Sequence, residues 1–100
     1  MKKVTKKSPM PFVLIRTVSA GVHCGSLFMR NGTEVQLKDA RRVWRWRGAN
    51  TLNELAMKGP AEDWTRISEP VPEIVLTQAI EVIPCSAAAR ELLTRSRWAP

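Results

Sequence analysis

The most concentrated chemistry in the chain lies in one run, Arg41-Arg42-Val43-Trp44-Arg45-Trp46-Arg47. On an extended strand successive side chains alternate. That places Arg42, Trp44 and Trp46 on one face and Arg41, Val43, Arg45 and Arg47 on the other. Indole faces stack on bases of any sequence, and guanidinium groups pair bidentately with phosphate oxygens, so these residue types suit a nucleic-acid strand. A small sheet must also bury one of its faces, and two indoles offer more apolar area than any other pair here. The expectation is that Trp44 and Trp46 are mainly core and that Arg41, Arg45 and Arg47 form the outward working surface. If the faces are reversed, Arg42, Trp44 and Trp46 become the contact surface. Lys2, Lys3, Lys6 and Lys7 add four cations in a segment without periodicity. Such a tail strengthens contact with a phosphate backbone or an acidic surface without conferring specificity.

Other chemistry is sparse. His23, Cys24 and Cys85 are the only His and Cys residues. Adjacent residues on a strand point to opposite faces, so His23 and Cys24 do not share a metal there, and no fourth ligand has suitable spacing. One histidine, no tyrosine, no glycine-rich phosphate loop and no clustered carboxylates leave the usual general-base and nucleophile pairings without members. Glu62-Asp63 and Glu69 with Glu73 fall near prolines, where solvated charge is the default. The expectation is a binding protein with no catalytic residue, metal or cofactor.

One hundred residues make one domain, able to bury roughly 65% of the surface of its unfolded chain. The net charge of +7 is unevenly spread: +4 over residues 1–9, +5 over 10–47, −4 over 48–89 and +2 over 90–100. Folding can turn that layout into a charged face that attracts an acidic macromolecular partner, whether protein, nucleoprotein complex or nucleic acid. Two thiols permit one bridge but do not make the dense framework of a secreted mini-domain. The apolar run at residues 11–15 is too short for a signal-peptide core, and no run is long enough to span a bilayer. The reading is a reducing cytosol, no membrane, and an oligomeric state that composition leaves open.

Residues 1–9 read as a flexible basic tail, and residues 10–100 as a single compact domain. Residues 12–18 and 22–30 are strand-like, and Gly25 inside the second marks a bulge or a close backbone approach. Asn31-Gly32 is a hairpin turn of type I′, followed by a strand at 33–38 that points Val35 and Leu37 to one face. Asp39-Ala40 interrupts, and 41–47 reads as a fourth strand. Thr51 caps a short helix, with Glu54 completing a capping box and Gly59-Pro60 ending it. Residues 64–68 and 73–83 are strand-like, and the prolines between them forbid central pairing. Ser86 caps a final helix from 87 to about 96. The fold expected is α+β and mainly antiparallel: a small curved sheet or partly open barrel of about six strands, with a short helix after strand four and a C-terminal helix.

The stretches Arg16-Thr17-Val18-Ser19-Ala20-Gly21-Val22-His23, Leu37-Lys38-Asp39-Ala40-Arg41-Arg42-Val43-Trp44-Arg45-Trp46-Arg47-Gly48-Ala49 and Pro72-Glu73-Ile74-Val75-Leu76-Thr77-Gln78-Ala79-Ile80-Glu81-Val82-Ile83-Pro84-Cys85 resemble a family of small proteins of tailed bacteriophages and prophages. The resemblance covers roughly residues 12–90. It implies a phage origin and the cytoplasm of a bacterial host, and it carries no activity, since none is established for that family. Three functions fit it: a stoichiometric binder of a host or phage complex, including the anti-defence class of inhibitor; a direct nucleic-acid binder; and a virion or assembly component.

The Asn31-Gly32 turn makes the first testable demand. Gly32→Val puts a β-branched side chain where φ is positive and is expected to cost about 1–3 kcal/mol. Thermal melting checks this, and an unchanged midpoint would refute the turn.

Overall fold

The computed structural model of the chain describes residues 2–3, 10–46, 49, 51–61 and 65–95. Their elements run β1 (Lys2–Lys3), β2 (Phe12–Thr17), β3 (Val22–Asn31), β4 (Glu34–Arg45), α1 (Leu52–Lys58), β5 (Arg66–Ile67), β6 (Val71–Leu76), β7 (Ala79–Pro84) and α2 (Ala87–Arg95). The class is α+β, and all the strand pairings are antiparallel. No helix among the described residues is long and apolar enough to cross a membrane.

The sheet is built on the β3–β4 hairpin. Asn31 pairs with Glu34, so the loop itself is Gly32-Thr33. Only Gly32 has positive φ there, at 60°. That is the pattern of a type II′ turn, not the type I′ turn expected, although glycine is still required. The expected third and fourth strands are one continuous strand. Cys24 pairs with Arg41 and Ser26 with Lys38, leaving two residues of β4, Asp39 and Ala40, against the single Gly25. The extra residue is absorbed as a β-bulge, with Asp39 in the left-handed region at φ 49°, where Asp is tolerated. Gly25 makes this possible: a Cβ on it would lie 3.1 Å from the Lys38 carbonyl oxygen and 3.2 Å from the Ala40 Cα.

Each long strand takes two partners in succession along its outer edge. β3 pairs with β2 and then β1, and β4 pairs with β6 and then β5. Lys2 stands opposite Arg30 and Lys3 opposite Met29, so the sheet reaches two lysines of the segment expected to be a free tail; residues 4–9 lie outside the described residues. β7 adds to the far side of β2. Because β2 and β4 are both antiparallel to β3, β6 and β7 must run in the same direction. They are one passage of chain that leaves the edge of β4 at Leu76 and joins the edge of β2 at Ala79. Thr33 pins the crossing by donating its hydroxyl to the Thr77 carbonyl (3.1 Å) and accepting Ala79 N–H at its own carbonyl (3.0 Å). The sheet curls accordingly but does not close into a barrel. Pro72 falls in β6, an edge strand, where a missing N–H costs nothing.

Curling gives the sheet two apolar faces. Val13, Ile15, Leu27, Val35, Leu37 and Leu76 pack inside the curl. Phe12, Leu14, Cys24, Val43 and Ile67 pack on the other side under Leu55 and Ala56 of α1 and Leu93 of α2. The helices begin and end where the sequence marks them. The Thr51 hydroxyl accepts Glu54 N–H at 3.1 Å, and Gly59, at φ 78°, closes α1 by donating to the Leu55 carbonyl. The Ser86 hydroxyl accepts Ala89 N–H at 3.0 Å and donates to the Met57 carbonyl at 2.6 Å, tying the start of α2 to the end of α1.

The far end of α2 is tied down by Arg41, which is 8% exposed. Its guanidinium donates to the carbonyls of Leu93 (2.8 Å) and Thr94 (2.7 Å) and, through Nε, to the carbonyl of Ser68 (2.7 Å). A helix leaves its last carbonyls unpaired and carries partial negative charge there, so a buried cation satisfies both needs. Arg41→Ala takes the donor from these carbonyls, that of Leu93 in a buried bond, and is expected to lower stability by about 3–5 kcal/mol in urea unfolding. Arg41→Lys, lacking the planar fork, should recover only part of that loss.

Candidate functional site

The run Arg41 to Arg45 alternates as expected as far as Trp44, with the opposite sense to that expected. Arg41 and Val43 are buried on the helix side, while Arg42 and Trp44 face outward, Trp44 at 57% exposure. Two features overturn the expected assignment. The Asp39-Ala40 bulge puts Ala40, Arg42 and Trp44 in phase with Val35 and Leu37, and the carbonyl cluster at α2 draws Arg41 inward. A second irregularity follows: Val43 pairs with Ile67 and Arg45 with Arg66, so Trp44 and Arg45 together oppose one step of β5. Both are exposed, and the Arg45 guanidinium sits 6.0 Å from the centroid of the Trp44 ring, within reach of a cation–π contact. Trp46, past that irregularity, returns to the helix side and packs partly buried against its core. Of the two indoles, then, Trp46 belongs with the core and Trp44 does not. Arg47, Lys6 and Lys7 lie outside the described residues.

Arg42 has a second neighbour that strand periodicity could not supply. It pairs directly with His23 across the β3–β4 ladder, where facing Cβ atoms lie about 4.5–5.5 Å apart. No hydrogen bond or ion pair joins the Arg42 guanidinium to another described residue; its backbone N–H donates to the Ser68 hydroxyl at 2.8 Å. Next to it a cavity of about 170 Å³ opens, lined by His23, Ala40, Arg41, Arg42, Ser68, Val71 and Ile74. His23 is 1% exposed, and its Nε2 lies 2.9 Å from the Ala20 carbonyl oxygen. A carbonyl only accepts, so Nε2 carries the proton and Nδ1 is left as an acceptor. Burial lowers the pKa of the ring from its ordinary 6.5; the Ala20 bond opposes this and the positive charge of Arg42 reinforces it.

Other groups take structural places. His23 lines the cavity inside the curl while Cys24 lies in the helix-side core. Burial pushes the Cys24 and Cys85 thiols up to about 12, so neither is a thiolate at neutral pH. Cys24 pairs with Leu14 on one side of β2, and Cys85 N–H donates to the Phe12 carbonyl on the other. Two strand spacings, about 9–10 Å, exceed the reach of a disulfide. Glu73 donates nothing to the site: its hydrogen bond from Lys38, 2.5 Å long, holds its carboxyl below the ordinary range and ties β6 to β4. Among the described residues no group of three His, Cys, Asp or Glu side chains could hold a metal ion.

What the arrangement offers is therefore a planar aromatic face, two guanidinium groups beside it, and a cavity with apolar walls and one neutral acceptor. Residues 10–93 match the model of a domain of unknown function (DUF6948), and the chain belongs to that family. No curated protein and no solved structure matches it.

His23 gives the site a pH signature. Its folded pKa is depressed, so the unfolded chain binds the extra proton first as pH falls. Stability should be level above pH 6.5 and decline as pH drops below it towards the lower, folded value. His23→Gln, which can still donate to Ala20, should flatten that part of the profile when melting is followed from pH 7.5 to 5.

Proposed function

We propose that this protein is a non-enzymatic binding module that engages single-stranded nucleic acid through Arg42, Trp44 and Arg45, exposed on β4 away from the helices. The observation that carries this reading is the exposed indole of Trp44 with Arg42 and Arg45 on the same face. An exposed aromatic that contributes little to the core gives a stacking platform for any base, and the guanidinium groups beside it suit backbone phosphates. The resemblance to small proteins of tailed phages and prophages supports a setting in the cytoplasm of a bacterial host, where such a module acts by stoichiometric occupancy on a phage or host nucleoprotein complex.

A second reading draws on a different observation. The open edge of β6 carries Val71 at 42% and Val75 at 48% exposure. An unpaired edge with apolar side chains can add a strand from another protein. That reading makes the chain a protein-docking module, an anti-defence inhibitor or an assembly component of the virion.

Binding of single-stranded oligonucleotides, followed by polarisation over a salt series, decides between them. Trp44→Ala should weaken binding by about tenfold or more, the value of one stacked base, while changing stability by less than about 0.5 kcal/mol. Arg42→Ser with Arg45→Ser should reduce the slope of log affinity against log salt by about 1.4, two phosphate contacts at roughly 0.7 each. If the parent protein ignores single strands even at low salt, the protein-docking reading takes its place, and co-purification with virus particles would then mark the assembly role.

A further inference from the structure

Resting on the nucleic-acid reading above, we propose that the cavity between β3, β4 and β6 receives one unpaired, amine-bearing nucleobase, whose exocyclic amine donates to His23 Nδ1 while the adjoining phosphate lies on Arg42.

His23 Nε2–H is committed to the Ala20 carbonyl. Among the described residues no enclosed side-chain nitrogen or oxygen lacks a hydrogen bond, and His23 makes no bond beyond that one. Nδ1 has no partner, so it cannot be enclosed; it must meet the cavity that His23 lines. The Ser68 hydroxyl, by contrast, is occupied, accepting from Arg42 N–H and donating to the Glu69 carbonyl. Among the described residues the cavity thus presents the neutral acceptor of His23, the apolar side chains of Ala40, Val71 and Ile74, and the guanidinium of Arg42, which no described residue binds.

A ligand matching that set is flat and mostly apolar on its faces, carries an N–H donor on one edge, and is attached to an anion. A nucleobase on its phosphate backbone meets all three conditions; a free phosphate meets only the last. The volume of about 170 Å³ is more than ten times the roughly 10–15 Å³ that one water requires, enough for a planar ring. Cytosine and adenine direct an exocyclic amine where thymine directs a carbonyl oxygen, and an oxygen set against the Nδ1 lone pair is repelled, so thymine could offer only its ring N3–H, flanked by two such oxygens. The neighbouring geometry extends the match. Trp44 lies two residues beyond Arg42 on the same face of β4, about 7 Å away along the strand. One base can enter the cavity while the next stacks on the indole, with the phosphate between them on Arg42.

The test uses the full chain and single-stranded DNA decamers of cytosine, of thymine, and of abasic backbone. Cytosine should bind about tenfold tighter than thymine, the scale of one unmade buried hydrogen bond, and the abasic decamer should be weakest. Val71→Trp, which blocks the mouth from an exposed edge position, should erase the preference for cytosine while leaving the Trp44-dependent binding of thymine. His23 is the only histidine in the chain, so its ring nitrogens give one set of NMR signals; Nδ1 should shift on adding the cytosine decamer and stay still with the abasic one. Equal affinity for cytosine and thymine with an unmoved Nδ1 overturns the cavity proposal and leaves the stacking surface standing. Failure of all three decamers to bind overturns both.

Discussion

Arg41 joins parts of the chain that lie far apart in sequence. Its guanidinium collects the carbonyls of Leu93 and Thr94 near the end of α2 and the carbonyl of Ser68, and its own strand, β4, lies within the sheet between β3 and the strands β5 and β6. A carbonyl at a helix end must find a donor. A buried arginine must find acceptors, and the carbonyls of Ser68, Leu93 and Thr94 supply them. Each need is met by the other, so the helix, the strand and the link from β5 to β6 share one anchor. Breaking it would strand both sides, because the desolvation cost remains after the bond is gone.

The same anchor shapes the outer surface. With Arg41 and Val43 turned inward, strand geometry sends Arg42 and Trp44 outward, and the irregularity opposite Arg66 sends Arg45 after them. The exposed indole is thus a consequence of how the helix side is satisfied. Large aromatic side chains dominate cores because of the apolar area they bury, and leaving one outside forgoes that gain. Trp46 shows the alternative two residues later, packed against the core. The contrast within one short run is what gives Trp44 its functional weight.

The cavity beside it owes its form to the curl of the sheet. β6 leaves the edge of β4 to become β7 on the edge of β2, and the space under that passage is filled by apolar side chains only in part. His23 stands where the filling stops, held neutral by burial and by the charge of Arg42. A neutral, oriented imidazole is an acceptor of fixed direction, useful for recognition and unsuited to holding an anion.

Much of the architecture was legible along the chain. Thr51, Gly59 and Ser86 mark helix ends through hydrogen bonds that span a few residues, Gly32 meets a positive φ, and Gly25 signals a close approach of backbones; all of these are local steric or donor–acceptor demands, and the structure places each where the sequence puts it. The antiparallel α+β class follows from them. The facing of the Arg41–Trp46 run was not legible, because a single bulge residue shifts the phase of every side chain after it, and Asp39-Ala40 reads equally well as a break between strands. Nor could the sequence show that Arg41 would be buried, since its acceptors come from Ser68, Leu93 and Thr94, or that His23 would stand across from Arg42, since register is a property of two strands at once. What the sequence determined alone is the set of elements and their ends, fixed by interactions among neighbours in the chain. Which side chains meet the solvent, and which meet each other, was decided only when distant carbonyls and facing strands competed for them.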